Sequence, residues 1–162
     1  MHNITERDAQ VGLSQAWHGL TDVVETIDVK DNVLTKWDVE RKPLTYVNVD
    51  GNEQEIGYGI LVGSDDDKII GRPMTPSYKA ISNEKFLDLV SDAMAKLPKA
   101  KIESVGSVCN RGKVFVTVSL DGKSNYKVGD REFNDYLNFG NAHDQTSKLW
   151  INNTNTCTVC DN

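Results

Sequence analysis

The sequence predicts an α+β fold in which antiparallel β-hairpins pack around one main helix, with a mostly antiparallel sheet. Apolar and polar residues alternate in several short runs, which is the period of a half-buried strand. One stretch, about residues 82 to 97, instead repeats its apolar residues every three or four positions, which is the period of a helix. Turn signals such as Asp50-Gly51 and Asp121-Gly122 separate the runs.

In the first half of the chain, the residue pattern predicts a leader followed by strands. We expect residues 1 to 16 to form a leader, either mobile or a short docked helix. An acidic stretch that runs to Asp31 follows, in which Val23, Val24 and Ile27 are helix-spaced. Residues 36 to 49 predict an edge strand or two short pieces, because Pro43 has no N–H to donate. Residues 54 to 74 predict a hairpin with a polar, solvated tip at 64 to 67.

The main helix has clear ends, and strands follow it. Ser82 predicts the N-cap, Glu84 lies at the positive end of the helix dipole, and Pro98 ends the helix. A second hairpin is predicted, with strands at residues 102 to 109 and 113 to 120. A last pair of strands, at 135 to 141 and 148 to 159, completes the sheet. We therefore predict a single α+β domain over residues 17 to 162.

Composition limits the class of protein. The 162 residues are 38% hydrophobic and 26% charged, which is typical of a globular chain. No apolar run approaches the roughly 20 residues that span a bilayer, and the first residues lack the apolar core of a secretory signal. Three cysteines do not make a disulfide framework. We expect a soluble protein in the cytoplasm of a bacterial host, with no membrane partner.

Charge is unevenly distributed along the chain. Residues 1 to 70 hold 6 Lys/Arg against 14 Asp/Glu, whereas residues 71 to 162 hold 12 against 10. Residues 96 to 131 hold 8 basic residues against 3 acidic ones. Such a region can attract phosphates even on a chain with a net charge of −6. A solvated surface that keeps the strands soluble is the other interpretation.

Two motifs resemble metal or redox sites but are incomplete. Cys157 and Cys160 lack a second pair of ligands for zinc, and lie in a Thr/Val run typical of a strand. His143-Asp144 lacks the helical bundle on which phosphohydrolase ligands lie, and it fits a turn in which Asp144 bonds its own backbone. We expect no metal, no cofactor and no catalytic residues.

Aromatic residues leave two interpretations open. Trp17, Trp37 and Trp150 are typical of a core, but aromatic side chains near lysines also stack on unpaired bases. Lys113, Phe115 and Tyr126 keep the second interpretation open.

An ordered set of short motifs resembles a known family. The motifs are Trp17-His18-Gly19-Leu20, Pro73 to Tyr78, Ser82-Asn83-Glu84-Lys85-Phe86, Gly112-Lys113-Val114-Phe115-Val116, Asp135-Tyr136-Leu137, Asn141-Ala142-His143-Asp144 and Val159-Cys160-Asp161-Asn162. In this order they resemble the phage/plasmid-like proteins of domain of unknown function 932. The resemblance implies a mobile-element context and no established activity.

The chain departs from that family pattern in two places. Gln145 follows His143-Asp144, where members usually have glycine. Members also usually continue past the Cys-x-Asn motif into a helical part, so we expect the domain to be incomplete at its C-terminus.

The function that we expect is a non-enzymatic role in DNA metabolism, as a protein that binds or anneals single-stranded DNA in recombination and that can form a homo-oligomer. The candidate nucleic-acid-binding residues are Lys99, Lys101, Arg111, Lys113, Lys123, Lys127 and Arg131. Family-motif positions of unknown role are Trp17, Asn141, His143, Asp144, Cys160 and Asn162. The alternative is a protein-interaction module that inhibits a host defence or DNA-processing protein, because an acidic first half suits a basic partner.

Overall fold

A computed structural model describes residues 9–11, 22–23, 26–97, 99–120, 126–129 and 131–157. Its ten strands are β1 Ala9–Val11, β2 Asp22–Val23, β3 Val39–Val47, β4 Glu53–Gly63, β5 Ile69–Met74, β6 Lys101–Val108, β7 Lys113–Ser119, β8 Tyr126–Val128, β9 Arg131–Ala142 and β10 Trp150–Cys157. A 3₁₀ turn at Val33–Lys36 precedes β3, and the α-helix α1 spans Asn83–Met94.

The strands form two sheets. The larger sheet has the order β10-β9-β7-β6-β1-β2, and β8 pairs with β9 beyond the end of β7. The smaller sheet has the order β3-β4-β5. Every strand pair is antiparallel except β1 with β2. The predicted α+β class with a mostly antiparallel sheet is therefore confirmed.

The helix begins and ends close to the predicted residues. The Ser82 side chain accepts a hydrogen bond from the Lys85 N–H at 3.2 Å, which satisfies one of the donors that the first turn leaves unpaired. Glu84 lies in that turn, and Ala95 caps the other end. With 12 residues, α1 falls short of a membrane span, and no other described helix is long and apolar enough to make one.

One cluster of buried apolar residues joins the helix to both sheets. Phe86 and Val90 of α1 contribute one side of it. The larger sheet contributes the alternate valines of β7, which are at most 1% exposed, and the smaller sheet contributes Leu61. The full buried set is Val33, Leu34, Trp37, Leu61, Ile70, Met74, Phe86, Leu87, Val90, Ile102, Val105, Val114, Val116, Val118 and Phe139.

Several strands differ from their predictions. Residues 9 to 11 of the expected leader form β1, because the edge of β6 offers them unpaired backbone groups. The helical spacing around Val23 was misleading, since Asp22–Val23 extends the sheet as β2. The short β8 was not predicted at all. The prediction for Pro43 is confirmed, because β3 is an edge strand that continues through it.

Candidate functional site

One face of the larger sheet turns away from the core. Paired residues share a face of a sheet, so the register aligns side chains in rows across β7, β9 and β10. One row holds Phe115, Gly140 and Trp150, and the next holds Thr117, Asn138 and Asn152. The third row holds Ser119, Tyr136 and Thr154. We call this surface, from Lys113 and Phe115 across to Trp150 and Thr154, the open face.

The open face exposes aromatic side chains. Phe115, Tyr136 and Trp150 are half-buried, and they lie on three adjacent strands. The Trp150 indole lies flat over Gly140, where any Cβ would overlap the ring. The face is buried toward β6, where Ser104 is 1% exposed, and it becomes exposed over β10. An aromatic surface is therefore accessible across β7, β9 and β10.

Amide and hydroxyl groups lie between the aromatic residues and are linked by hydrogen bonds. Thr117 donates from Oγ1 to Oδ1 of Asn138 at 2.8 Å, and Asn138 donates from Nδ2 to Oγ1 of Thr154 at 2.7 Å. These bonds fix the orientation of the Asn138 amide. The open face is therefore polar as well as aromatic, which suits ligands that both stack and form hydrogen bonds.

Some of the candidate cations border this face. Lys113 is half-buried beside Phe115, and the exposed Lys101 pairs with Ser119 at the other end of β7. Lys99 is exposed in the turn before β6. Lys127 and Arg131 lie in β8 and β9, but their side chains are not described, and Lys123 lies outside the described residues. The described lysines thus lie at both ends of the open face.

Arg111 does not join these lysines. Its guanidinium donates to both carboxylate oxygens of Asp65, from Nη1 at 2.7 Å and from Nη2 at 3.0 Å, and Nη1 lies 3.5 Å from Asp66. The two-point contact with Arg111 holds the pKa of Asp65 below its usual value. We expect Arg111 to offer its charge to phosphates, and in the structure that charge is already paired with the acidic tip of the β4–β5 hairpin. That tip is ion-paired rather than merely solvated.

Beneath this ion pair lies a buried junction formed by Trp37, Asn83 and His143. Asn83 is 1% exposed and donates from Nδ2 to the carbonyl oxygens of Leu34, at 3.3 Å, and Trp37, at 3.0 Å. Its Oδ1 therefore remains to accept a hydrogen bond, and Nε2 of His143 lies 2.9 Å away. Nε2 must carry the proton, so Nδ1 is the unprotonated ring nitrogen.

His143 is buried in this junction, and burial favours its uncharged form. It is 1% exposed, and its Nδ1 has no hydrogen-bond partner among the described residues. Burial lowers the pKa of His143 to about 4, although Asp38 and Asp144 act in the opposite direction. The edge of its ring contacts Trp37, with the ring centres 6.0 Å apart.

The family-motif residues at the end of β9 also have structural contacts. Asn141 donates to the Ile81 carbonyl at 3.1 Å. Asp144 accepts from the Thr146 N–H at 2.9 Å, which confirms the predicted turn in which it bonds its own backbone. No group of three or more potential metal ligands occurs in the described part of the chain. The motif positions Trp17, Cys160 and Asn162 lie outside the described residues, as does the side chain of Cys157.

Sequence reasoning missed two parts of this arrangement. Asn83 belonged to a motif but had no expected role, and only its distant partners reveal one. Phe115 and Trp150 were noted separately, and their proximity on one sheet face was not predicted. The alternation along β7 does place Phe115 on the face away from the buried valines. Sequence gives no signal that Gly140 leaves room for the Trp150 ring.

Comparisons with known proteins give one result. A family model described as Domain of unknown function (DUF932) matches residues 74–162, which is more than half of the chain. The match includes Asn83, His143 and the open face, but not the Trp17 motif or Trp37. Neither the curated proteins nor the solved structures gave a match. The chain belongs to the family of domain of unknown function 932.

Proposed function

We propose that the chain is a non-enzymatic, single-stranded DNA-binding protein of phage or plasmid DNA metabolism, and that the open face binds the bases. The observation that carries this proposal is that Phe115, Tyr136 and Trp150 lie half-exposed on adjacent strands of one sheet face. Unpaired bases stack on such aromatic rings, at about 1–3 kcal/mol per base.

The polar groups and lysines suit the same ligand. The linked amide and hydroxyl groups of Thr117, Asn138 and Thr154 can exchange hydrogen bonds with base edges once bases lie on the rings. Lys101 and Lys113, at opposite ends of β7, suit the phosphates of a strand that crosses the face. A single strand fits better than a duplex, because the bases of a duplex are already stacked on one another.

Annealing during recombination is the more specific form of the proposal. A protein that holds one strand by its bases must release them for pairing, so moderate affinity and steep salt dependence suit annealing. The mobile-element context comes from the family resemblance.

The direct test is the affinity of a fluorescently labelled oligo-dT, measured by anisotropy at low salt. We expect Phe115→Ala and Trp150→Ala each to weaken binding by roughly 5- to 150-fold. Leu89→Ala is the control, because Leu89 is 47% exposed but lies on α1, away from the open face. No binding by the wild-type chain at low salt would refute the proposal, as would equal losses in Leu89→Ala and Trp150→Ala.

A protein-interaction module is the second candidate, and a different surface favours it. The acids of the β4–β5 tip are paired with Arg111, Lys42 and Lys68 and are thus not free for a basic partner. The β3–β4 hairpin, however, exposes several large apolar side chains. Unchanged oligo-dT mobility together with loss of partner binding in a variant of that hairpin would favour this function.

A further inference from the structure

The β3–β4 hairpin projects as an arm, which we define as residues 44 to 58. Strand β5 pairs with β4 only at residues 59 to 62, so within the described residues no third strand pairs with the arm. Five large apolar side chains on it are exposed, by 49%, 64%, 103%, 47% and 48% of their area: Tyr46, Val47, Val49, Ile56 and Tyr58. Scattered exposed apolar residues are ordinary, but five on one short arm are unusual. They lie on both faces of the arm, because successive strand residues alternate, and Val47 shares its face with its partner Glu53.

The arm is also purely acidic. It carries Asp50, Glu53 and Glu55 and no lysine or arginine. Within the described residues, none of the three carboxylates makes an ion pair. Two arms would repel each other, because each brings three negative charges. A surface that fits the arm must therefore be apolar and basic.

The same chain has such a surface at the end of β9. A groove of about 570 Å³ lies between residues 78 to 81 and residues 145 to 149. Tyr78, Ile81 and Leu149 supply its apolar lining, and Lys79 and Lys148 are its charged residues. Neither lysine makes an ion pair in the part of the chain that the structure describes.

We propose that the arm of one copy inserts into the groove of a second copy. The valines at the arm tip would contact Ile81 and Leu149, while Glu53 and Glu55 would approach Lys79 and Lys148. The arm is exposed in the single chain, so it does not fill its own groove. The contact joins two different surfaces and is therefore heterologous, and repetition of it gives a ring or a filament. The uneven charge of the chain, acidic before residue 70 and basic after it, matches such head-to-tail contacts.

Sedimentation of the DNA-free protein over a range of concentrations tests this contact. We expect wild-type chains to associate, and to dissociate as salt rises. The arm variant Val47→Ser with Val49→Ser and the groove variant Lys79→Glu with Lys148→Glu should both be monomeric. Leu89→Ser and Lys85→Glu, which change exposed residues of α1, should associate as the wild type does.

Mixing the two variants distinguishes a head-to-tail contact from a symmetric one. The arm variant keeps a working groove and the groove variant keeps a working arm, so the mixture should form a 1:1 dimer and nothing larger. The charge-reversed arm, Glu53→Lys with Glu55→Lys, should bind the groove variant and restore association. These changes lie on exposed residues, and unchanged circular dichroism verifies folding.

Two results would overturn the proposal. One is a wild-type chain that stays monomeric at every concentration, and the other is a variant mixture that contains no dimer. Because the measurement contains no DNA, its failure is separate from a failure of the oligo-dT experiment. Oligo-dT binding by a monomeric chain would keep the proposed function and remove the arm contact.

Discussion

The guanidinium carbon of Arg111 lies 4.6 Å from the centre of the Trp37 ring. The same guanidinium holds Asp65, which is 46 positions away in the sequence. Trp37 in turn contacts the ring of His143 with its own ring. Arg111 therefore connects the β6–β7 turn, the tip of the smaller sheet and the buried junction. These contacts of Arg111 stabilise the packing of the smaller sheet against the larger one.

Replacing Arg111 should weaken the packing between the two sheets. We expect Arg111→Lys to lower the free energy of unfolding by about 1–2 kcal/mol, because lysine loses both the two-point contact and the stacking on Trp37. Urea unfolding measures the change. A double-mutant cycle with Asp65→Ala should show coupling between the two residues, and additive effects would contradict the direct contact.

The salt dependence of DNA binding should separate Lys113 from Arg111. We expect Lys113→Gln to reduce the slope of log affinity against log salt by roughly 0.7, which is one phosphate contact on a single strand. Arg111→Ala should leave the slope unchanged, because Asp65 already neutralises that charge. Titrations of oligo-dT at several salt concentrations measure both slopes. A larger change for Arg111→Ala than for Lys113→Gln would show that the DNA path crosses the turn instead.

His143 should make the fold sensitive to mild acid. Its pKa falls from about 6.5 in the unfolded chain to about 4 in the folded one, so the unfolded state binds the proton more readily. The free energy of unfolding therefore has its full value above pH 6.5 and decreases as the pH falls toward 4. The total decrease due to His143 is about 3 kcal/mol. Urea unfolding across this range measures the loss. His143→Gln should remove most of the pH slope, whereas Asp65 acts only below its usual pKa of 3.8.

The partner of His143 should set its protonation. Asn83→Asp places a carboxylate beside Nε2 and should raise the pKa of His143. The same change removes the two donors to the Leu34 and Trp37 carbonyls. Asn83→Ala is the control, because it removes those donors without adding charge. An NMR titration of the histidine rings measures the pKa, and an equal pKa in both variants would contradict the contact.

Two glycines with the same backbone angle should respond differently to a methyl group. Gly71 has φ of +81° and Gly51 has φ of +82°, so alanine is strained at both. Only at Gly71 would the new Cβ lie 2.7 Å from the Cα of Asp144. We expect Gly51→Ala to cost about 1 kcal/mol and Gly71→Ala about 2–4 kcal/mol in thermal unfolding. Equal losses of stability in the two variants would show that the smaller sheet does not pack closely against the His143-Asp144 turn.

Much of the local structure follows from sequence alone. The three- to four-residue spacing of Phe86 and Val90, with Ser82 before them, determines where the helix begins and which side it buries. The alternation of Val114, Val116 and Val118 determines one buried and one open face of β7. Both patterns reflect backbone geometry over a few residues, which is why they are readable without the fold.

The buried junction and the ion pair above it depend on contacts that no local pattern contains. Asn83 and His143 are 60 positions apart in the sequence, and Arg111 and Asp65 are 46 positions apart. The sequence around a charged or amide side chain does not indicate which distant residue it will contact. The sequence therefore made Arg111 a candidate for phosphates, and only the tertiary structure assigned it to Asp65. The sequence determined which side chains each strand presents, because the period of a strand is fixed by its backbone. The tertiary structure decided which strands became neighbours, because that choice depends on the burial of the whole core.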